Sequence, residues 1–287
     1  MKLLTLNTHS LLEENYEQKT RDFVAAVIKE RPDILALQEV NQSVNAKEAD
    51  QELLEGYVPY KENKIPVRLD NHAAQVALLL RQAGIFSSWT WIPAKLGYGK
   101  YDEGMAIFSL NSPITEVDSF YISRGQDYEN WKTRKVLGVR VAGSSDWFYT
   151  VHMGWWDDAE EPFEAQWNVL RRRLDEKKET GHVWLMGDFN SPAEVRNEGY
   201  DCVLNSGWAD TWMMAKQKDS AVTVKGVIDG WREKLKDCSE EITGMRIDHI
   251  WCSEEIPVDC SSVIFNGERE PVVSDHFGVM IQYKKGV

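Results

Sequence analysis

A short apolar run, residues 182–186, leads directly into Gly187-Asp188-Phe189-Asn190, and this junction limits the folds that the chain can adopt. The run has the length and composition of a buried β-strand, so the polar residues stand at its end. Because side chains alternate along an extended chain, Asp188 and Asn190 point the same way. A carboxylate beside an amide suits the activation of water and the binding of a phosphate oxygen. The same residues also form ordinary Asx turns, so the junction alone leaves both interpretations open.

The start of the chain has the pattern of a β-α-β unit. Residues 2–7 and 33–38 are apolar runs, and residues 18–30 between them carry apolar side chains at helical spacing. Asn7 and Glu39 then stand at the carboxyl ends of two neighbouring strands. Ligands of α/β proteins gather at that edge of the sheet, so we expect both side chains beside a binding cleft.

The remaining segments predict many strands and a few helices. We expect helices at 72–82 and 160–177, and strands at 86–92, 104–109, 114–122, 134–142, 146–152, 245–252, 260–266 and 276–283. Polar or glycine-rich stretches predict loops over 41–70, 95–104 and 211–244. Polar residues follow strands in both halves, which suits two sheets packed face to face, with helices outside and one cleft at a shared rim. Because no linker or short repeat interrupts the pattern, we expect residues 1–287 to form a single domain.

The charge balance argues against nucleic acid as a partner. The 287 residues carry a formal net charge of −13, whereas nucleic-acid binding depends on clustered Lys and Arg. The best candidates for such a cluster are Arg171-Arg172-Arg173 and Lys177-Lys178. They lie in a stretch of helical period, which is typical of a solvated helix face. The four cysteines lack the spacing of a metal site. With no secretion signal or membrane-spanning stretch in the pattern, we expect a cytoplasmic protein without a membrane partner.

Two Asp-His steps follow predicted strands near the end of the chain, at Asp248-His249 and Asp275-His276. A carboxylate that accepts a hydrogen bond from an imidazole fixes its tautomer and raises its basicity. We assign Asp248 to orient His276 and place Asp275 near a metal ion. His249 would then point the opposite way, into the fold.

Other polar residues allow both a functional and a structural interpretation. His152 ends a predicted strand. An imidazole there can donate to a phosphate oxygen or protonate a leaving oxygen, or it can be a structural histidine with satisfied hydrogen bonds. Arg134 enters a strand either as a phosphate clamp or as a solvated cation. Glu39 with Asn7 offers the oxygen ligands that Mg²⁺ prefers, although a surface glutamate after a strand would look the same. Glu103 is a weaker candidate, placed to orient His152.

Seven motifs resemble, in order, those of the endonuclease/exonuclease/phosphatase superfamily, which includes pancreatic-type deoxyribonucleases, abasic-site endonucleases, neutral sphingomyelinases and inositol phosphatases. They are LTLNTH (4–9), LALQEV (35–40), EGMAIFS (103–109), VHMG (151–154), LMGDFN (185–190), RIDHIW (246–251) and SDHFGV (274–279). The resemblance implies a four-layer α/β sandwich, in which two packed mixed β-sheets are flanked by helices. It also implies Mg²⁺ or Mn²⁺ in the cleft and hydrolysis of a phosphoester.

The resemblance further implies a role for each site residue. It implies metal binding by Asn7, Glu39 and Asp275. It implies that Asp188 activates the attacking water and that Asn190 binds phosphate. It also implies that Asp248 pairs with the imidazole of His276. His152 matches the sphingomyelinase and deoxyribonuclease pattern. The tyrosine that abasic-site endonucleases use nearby has no clear counterpart, which counts against that subgroup.

The identity of the phosphoester is open to several interpretations. KLLTLNTHS (2–10) together with ALQEVNQS (36–43) is similar to a bacterial subgroup that includes maltose 6′-phosphate phosphatases, which implies a small phosphorylated sugar as substrate. Trp155 and Trp156 beside the His152 motif, and Trp131 before Arg134, suit stacking against a sugar ring. A nuclease predicts a basic groove, and a sphingomyelinase-type phospholipase predicts secretion and an exposed apolar hairpin. A non-catalytic module of the same fold would usually lack some of the site residues.

Overall fold

Two mixed β-sheets dominate the protein, whose computed structural model describes residues 1–226 and 244–284. Within these residues, the first sheet has the spatial order β10 (Ala215–Lys218), β14 (Val258–Ile264), β15 (Gly278–Tyr283), β1 (Lys2–Asn7), β2 (Ile34–Ser43), β4 (Tyr101–Ser109) and β3 (Ser88–Gly97). The second has the order β5 (Ile114–Tyr121), β6 (Lys135–Val141), β7 (Trp147–His152), β8 (Val183–Asp188), β13 (Asp248–Cys252) and β9 (Ala209–Asp210). Two short strands, β11 (Val224–Lys225) and β12 (Gly244–Met245), pair with each other.

The helices lie close to where the sequence predicts the longer ones. They are α1 (Tyr16–Glu30), α2 (His72–Gln82), α3 (Phe163–Lys178), α4 (Gly199–Asn205) and α5 (Thr211–Met214), with a short 3-10 helix at Ser10–Leu12. α2 begins after Asn71, whose side chain accepts a hydrogen bond from the backbone N–H of Ala74 at 3.1 Å. α1 ends at Glu30, and the next residue, Arg31, has the left-handed conformation directly before Pro32. Within the described ranges, no helix is long and apolar enough to cross a membrane.

The apolar core lies between four layers. Leu3 and Leu4 are neighbours in β1, and the alternation of side chains sends them to opposite faces. Leu3 joins an apolar cluster shared by the two sheets, whereas Leu4 packs with the buried faces of α1 and α2. On the outer face of the second sheet, α3 packs through Trp167 and Leu170. The order helix, sheet, sheet, helix confirms the predicted α/β sandwich, and it explains why the strands read as continuous apolar runs.

Both sheets bring polar strand ends to one rim. β1 and β2 are parallel, with Asn7 opposite Gln38, and β7 and β8 are parallel, with His152 opposite Asp188. β13 runs antiparallel to β8 on its other side and places Asp248 opposite Asp188. Asp188 therefore has a polar neighbour on each adjacent strand.

The structure corrects the sequence prediction at two places near this rim. Residues 95–104, expected to be a flexible loop, are the two arms and the tight turn of a hairpin, in which Gly97 of β3 pairs with Tyr101 of β4. β2 does not end before Glu39 but continues to Ser43, with a bulge at Glu39, whose φ is +51°. A bulge re-aims a side chain without ending the strand, so Glu39 faces the rim from within β2.

The loop predictions have mixed outcomes. After β2, the stretch up to residue 70 contains only isolated bridges such as Glu48 with Arg68, in agreement with the prediction. The described part of 211–244 contains α5, β10 and β11 rather than irregular chain, and 227–243 lie outside the described residues. The closing strands β13, β14 and β15 lie within a few residues of their predicted places.

Candidate active site

Asp188 stands at the centre of the polar rim. Its Oδ2 atom lies 3.2 Å from Nδ2 of Asn7, 3.6 Å from Nε2 of His152 and 3.9 Å from Nε2 of His276. Its Oδ1 atom accepts a hydrogen bond from the backbone N–H of Asn190 at 2.8 Å, which fixes the orientation of the carboxylate. Burial raises the pKa of Asp188 to about 7, although the positive charge of His276 opposes the shift. Such a carboxyl group is suited to accept a proton near neutral pH.

Gly187 allows the strands around Asp188 to approach closely. Its φ is +145°, and a Cβ atom added there would lie 2.1 Å from the carbonyl oxygen of Val151 and 2.8 Å from Nε2 of Gln38. Gln38 in turn donates from Nε2 to Oγ1 of Thr150 at 2.7 Å, which joins the first sheet to the second. The glycine and the buried glutamine therefore set the distance between the two halves of the site. The sequence offered no specific signal for Gln38 beyond its place beside Glu39.

Asp248 and His276 form a buried pair, as the sequence predicts. Nδ1 of His276 lies 3.0 Å from Oδ2 of Asp248. Burial disfavours a charged imidazole, but the carboxylates of Asp248, Asp188 and Asp275 together outweigh it and raise the pKa of His276 well above its usual value, with Asp248 contributing most. Thr223 fixes the backbone of Asp248, because its Oγ1 accepts a hydrogen bond from the backbone N–H of Asp248 at 3.2 Å. His276 is thus held as a cation whose Nε2–H faces Asp188.

Asn7 and Glu39 meet directly beside this pair. Nδ2 of Asn7 donates to Oε1 of Glu39 at 2.9 Å and to Asp188 on its other side. Burial, and then the nearby charge of Glu103, raise the pKa of Glu39. Such crowding of buried acidic groups is relieved by a cation with oxygen ligands, so these residues fit a divalent metal ion. Asp188, Asp248 and His276 also have potential ligand atoms within 4.8 Å of one another.

Asp275 lies at the edge of this arrangement. Its side chain is 60% exposed, and Oδ1 is 4.0 Å from Nδ1 of His9, which is itself 2.8 Å from Oε1 of Glu13. Ser274 connects the cluster to the centre, because its Oγ donates to the backbone carbonyl of Asn7 at 2.7 Å. Asp275 is therefore adjacent to the strand that carries Asn7, but its carboxylate groups with His9 and Glu13.

Arg134 is buried rather than solvated, which supports the first of its two interpretations. Its Nη1 donates to the carbonyl oxygens of Trp131 at 2.8 Å and Thr133 at 3.2 Å, while Nε is buried and has no hydrogen-bond partner among the residues that the structure describes. Burial lowers its pKa, and the charges of Glu103 and Asp188 oppose that shift. A buried guanidinium fits an anionic ligand.

Lys95 is a site residue that the sequence prediction missed. It lies in β3, 7% exposed, with Nζ 3.0 Å from Oε1 of Glu103 and 3.0 Å from the carbonyl oxygen of Trp131. Glu103 thus pairs with Lys95, whereas His152 faces Asp188. The available signal was a lysine within an otherwise apolar stretch, Trp91-Ile92-Pro93-Ala94, which is unusual for a loop.

His152 is kept neutral by this environment. Burial and the positive charges of Arg134 and Lys95 hold the pKa of His152 well below its usual value. The two imidazoles around Asp188 therefore differ in charge, because His276 is a cation and His152 is not. Two imidazoles in different states let a site donate a hydrogen bond from one and exchange a proton with the other.

The tryptophans next to the site have different roles. Trp155 is 40% exposed and donates from Nε1 to Oδ1 of Asn190 at 3.0 Å. Trp131 is 51% exposed and lies against Trp155. Trp156 is half-buried and packs against the core next to Phe163, with ring centroids 6.2 Å apart, and its contact with substrate stays a prediction.

His249 has the structural role expected from the sequence. It is buried, with Nδ1 3.1 Å from Nη1 of Arg246 and Nε2 3.3 Å from the carbonyl oxygen of Ser191. Arg246 is held by Asp210 at 2.8 Å. Because Arg246 only donates, Nδ1 of His249 accepts and Nε2 carries the proton.

Comparison with known proteins gives a consistent family assignment. A family model described as the endonuclease/exonuclease/phosphatase family matches residues 4–276. A solved structure of a protein of that description from Leptotrichia buccalis C-1013-b is 28% identical, with a TM-score of 0.84 over 99% of this chain and 100% of the other. No curated protein matches the chain.

Two more distant structures share the fold. A mannosyl-6-phosphatase from Bacteroides thetaiotaomicron VPI-5482 is 17% identical, with a TM-score of 0.64 over 98% of each chain. TDP2 from D. rerio, complexed with a single-strand DNA product, is 16% identical, with a TM-score of 0.59 over 99% of each chain.

Proposed function

Because the chain belongs to the endonuclease/exonuclease/phosphatase family, whose members are metal-dependent phosphoric ester hydrolases, we propose that it is a phosphatase of small phosphorylated sugars. The most specific form of the proposal is hydrolysis of maltose 6′-phosphate to maltose and phosphate. The observation that carries it is the buried Arg134 guanidinium, which is held by two carbonyl oxygens and lies within electrostatic range of Asp188, an arrangement that suits the binding of one phosphate group. The mannosyl-6-phosphatase from B. thetaiotaomicron supports it as a fold neighbour that acts on a phosphorylated sugar.

The proposed cofactor is Mg²⁺, or Mn²⁺, which Asn7 and Glu39 would hold. Asp275, whose carboxylate lies 4.0 Å from His9, is the third proposed ligand. Oxygen donors of this kind are the ligands that Mg²⁺ prefers, and the crowding of acidic groups at Glu39 supports a cation there. When bound, the ion supplies positive charge to the phosphoryl oxygens and to the leaving oxygen.

Asp188 is the proposed acceptor of a proton from the attacking water. Its carboxylate is fixed by Asn7 and by the backbone of Asn190, so the free lone pairs have one orientation. A pKa of about 7 matches a group that takes a proton at neutral pH. Asn190 has one N–H left to bind a phosphate oxygen, because its other side-chain contacts are with Met153 and Trp155.

The proposed roles of the imidazoles follow from their charges. His276, held as a cation by Asp248, donates from Nε2 to a phosphoryl oxygen and neutralises charge as the phosphorus becomes five-coordinate. His152 is neutral and offers one N–H to another oxygen. Arg134 is the proposed phosphate-binding cation, with its guanidinium fixed by two carbonyl oxygens.

A nuclease is the second candidate, favoured by the likeness to the D. rerio protein bound to a DNA product. The formal net charge of −13 is unfavourable for holding a nucleic-acid backbone. A sphingomyelinase-like phosphodiesterase is the third candidate. We also propose that the chain forms one domain, since the site takes Asn7 from one sheet and Asp188 from the other. A cytoplasmic location is part of the same proposal.

A substrate panel with Mg²⁺ tests the proposed function. It contains maltose 6′-phosphate, other sugar phosphates, plasmid DNA, RNA and sphingomyelin, and each reaction is repeated with EDTA. We expect phosphate release from sugar phosphates that stops with EDTA. Efficient DNA cleavage without phosphate release from any sugar phosphate would overturn the proposal.

A variant tests the role of Asp188. Asp188→Ala should abolish turnover with an unchanged circular dichroism spectrum, and activity within a few-fold of wild type would remove Asp188 from its assigned role.

A further inference from the structure

Two exposed indole rings stand together beside the site. Trp131 is 51% exposed and Trp155 is 40% exposed, and their rings meet edge to face, with centroids 5.9 Å apart. Large aromatic rings that remain exposed as a pair usually mark a contact surface, because their burial against a partner is favourable.

Both tryptophans contact residues of the site, Trp155 through its ring and Trp131 through its backbone carbonyl oxygen. Nε1 of Trp155 donates to Oδ1 of Asn190 at 3.0 Å. The carbonyl oxygen of Trp131 accepts from Nη1 of Arg134 at 2.8 Å and from Nζ of Lys95 at 3.0 Å. Whatever group is esterified to a phosphate on Arg134 and Asn190 would therefore extend past these two indoles.

The border of the indole pair is acidic. Asp127 and Glu129 on the Trp131 side are exposed, as is Glu160 on the Trp155 side. Two cations lie nearby. Lys132 is paired with Asp158 at 2.9 Å and Glu160 at 3.3 Å and lies 5.5 Å from the centre of the Trp131 ring. Arg124 is exposed and donates from Nη1 to the carbonyl oxygen of Glu160 at 3.3 Å, so the carboxylates still outnumber the cations at this border. An acidic border repels the further phosphates of a nucleic-acid strand, whereas carboxylates accept hydrogen bonds from hydroxyl groups.

We propose that Trp131 and Trp155 form a subsite for the uncharged pyranose ring of the leaving group, which stacks its C–H face on the exposed indoles and turns its hydroxyls toward the acidic border. This inference rests on the proposed sugar-phosphate activity and names the residues that select the sugar. Trp131 is the specificity-determining residue to test, because Trp155 also supports Asn190.

The test compares Trp131→Ala and Trp131→Phe with wild type on three phosphomonoesters, namely maltose 6′-phosphate, glycerol 3-phosphate and thymidine 5′-monophosphate. Phe86→Ala is the matched control. Phe86 is 61% exposed and lies just before Ser88, at the end of β3 away from the Gly97 hairpin turn. All variants are first checked for folding by thermal unfolding.

For Trp131→Ala we expect kcat/KM to fall about tenfold on maltose 6′-phosphate, mainly through KM, and to change less than about twofold on glycerol 3-phosphate. Trp131→Phe should recover most of the loss, and Phe86→Ala should behave as wild type. A loss confined to thymidine 5′-monophosphate, or equal losses on all three substrates, would overturn the pyranose subsite.

The same data separate the subsite from the proposed function. If wild type hydrolyses the sugar phosphate and Trp131→Ala does so equally well, the subsite is wrong while the proposed function stands. If wild type releases no phosphate from any sugar phosphate, the proposed function itself fails.

Discussion

His276 faces Asp188 with its Nε2 atom 3.9 Å from Oδ2 of the carboxylate, a distance too long for a direct hydrogen bond. The other ring nitrogen is bound to Asp248 at 3.0 Å, so the imidazole is fixed from behind and its free N–H is aimed at the site. The separation leaves no room for an atom directly between the two groups, so a ligand oxygen that contacts both would approach from the side. Asp188 and His276 therefore lie side by side at the rim as a loose ion pair, without a direct hydrogen bond.

Asp248→Asn should lower the pKa of His276, because it removes the charge that stabilises the imidazolium. The check is the NMR titration of the His276 ring, which we expect to lose its proton at lower pH than in wild type. Activity at neutral pH should fall about 10- to 100-fold, as is typical for the partner of a site imidazole. Asp175→Asn, at a side chain 65% exposed on α3, is the control. An unchanged titration of His276 would contradict the pairing.

Gly187→Ala should damage both stability and activity. The added Cβ would lie 2.1 Å from the carbonyl oxygen of Val151, at a φ of +145°. We expect a loss of about 3 kcal/mol in the free energy of unfolding, because strain and overpacking add. Gly207→Ala is the matched control, since Gly207 also has positive φ but has no atom within 4 Å of the added Cβ. It should cost about 1 kcal/mol and leave activity intact. Equal effects of the two substitutions in urea unfolding would show that contact with Val151 is unimportant.

Lys95→Met should destabilise the protein by about 3 kcal/mol, because it leaves the buried carboxyl group of Glu103 without its ion-pair partner. Lys95 and Glu103 are only 7% and 6% exposed, and their charged atoms are 3.0 Å apart. The double variant Lys95→Met/Glu103→Gln should recover part of this loss in urea unfolding. A loss below about 1 kcal/mol for Lys95→Met would mean that the pair contributes little.

The sequence predicted the parts of the site that follow from strand ends. Asp188, Asp248 and His276 each stand where an apolar run ends or begins, and simple alternation places such residues at one rim. Lys95 was missed because glycines and tyrosines around it resemble a loop, whereas strand pairing across the Gly97 turn makes them a hairpin. Such pairing is a long-range interaction that local composition does not contain.

Trp156 shows a second limit of prediction from sequence. It is adjacent to Trp155, but one indole is exposed beside Asn190 and the other packs near Phe163. Which neighbour faces the site depends on how the chain turns after β7, and the backbone there follows no regular alternation. The bulge at Glu39 is similar, because one residue with φ of +51° changes the direction of a side chain without any change in polarity pattern.

The buried His249 should make the protein sensitive to acid. Burial, reinforced by the charge of Arg246, lowers the pKa of His249 to about 3 in the folded protein, from a usual value of 6.5. The unfolded chain then binds a proton that the folded protein excludes. This contribution to stability is therefore complete above pH 6.5 and is lost as the pH falls toward 3. The expected loss is about 1.4 kcal/mol for each pH unit in that window.

Urea unfolding of wild type and His249→Gln at pH 8, 7, 6 and 5 measures this loss, since glutamine keeps a donor and an acceptor for Ser191 and Arg246 without titrating. Between pH 8 and 7 the difference between the two proteins should be constant, and below pH 6 wild type should lose stability faster. Parallel curves down to pH 5 would show that His249 is protonated in the folded protein and that its contact with Arg246 is wrongly assigned.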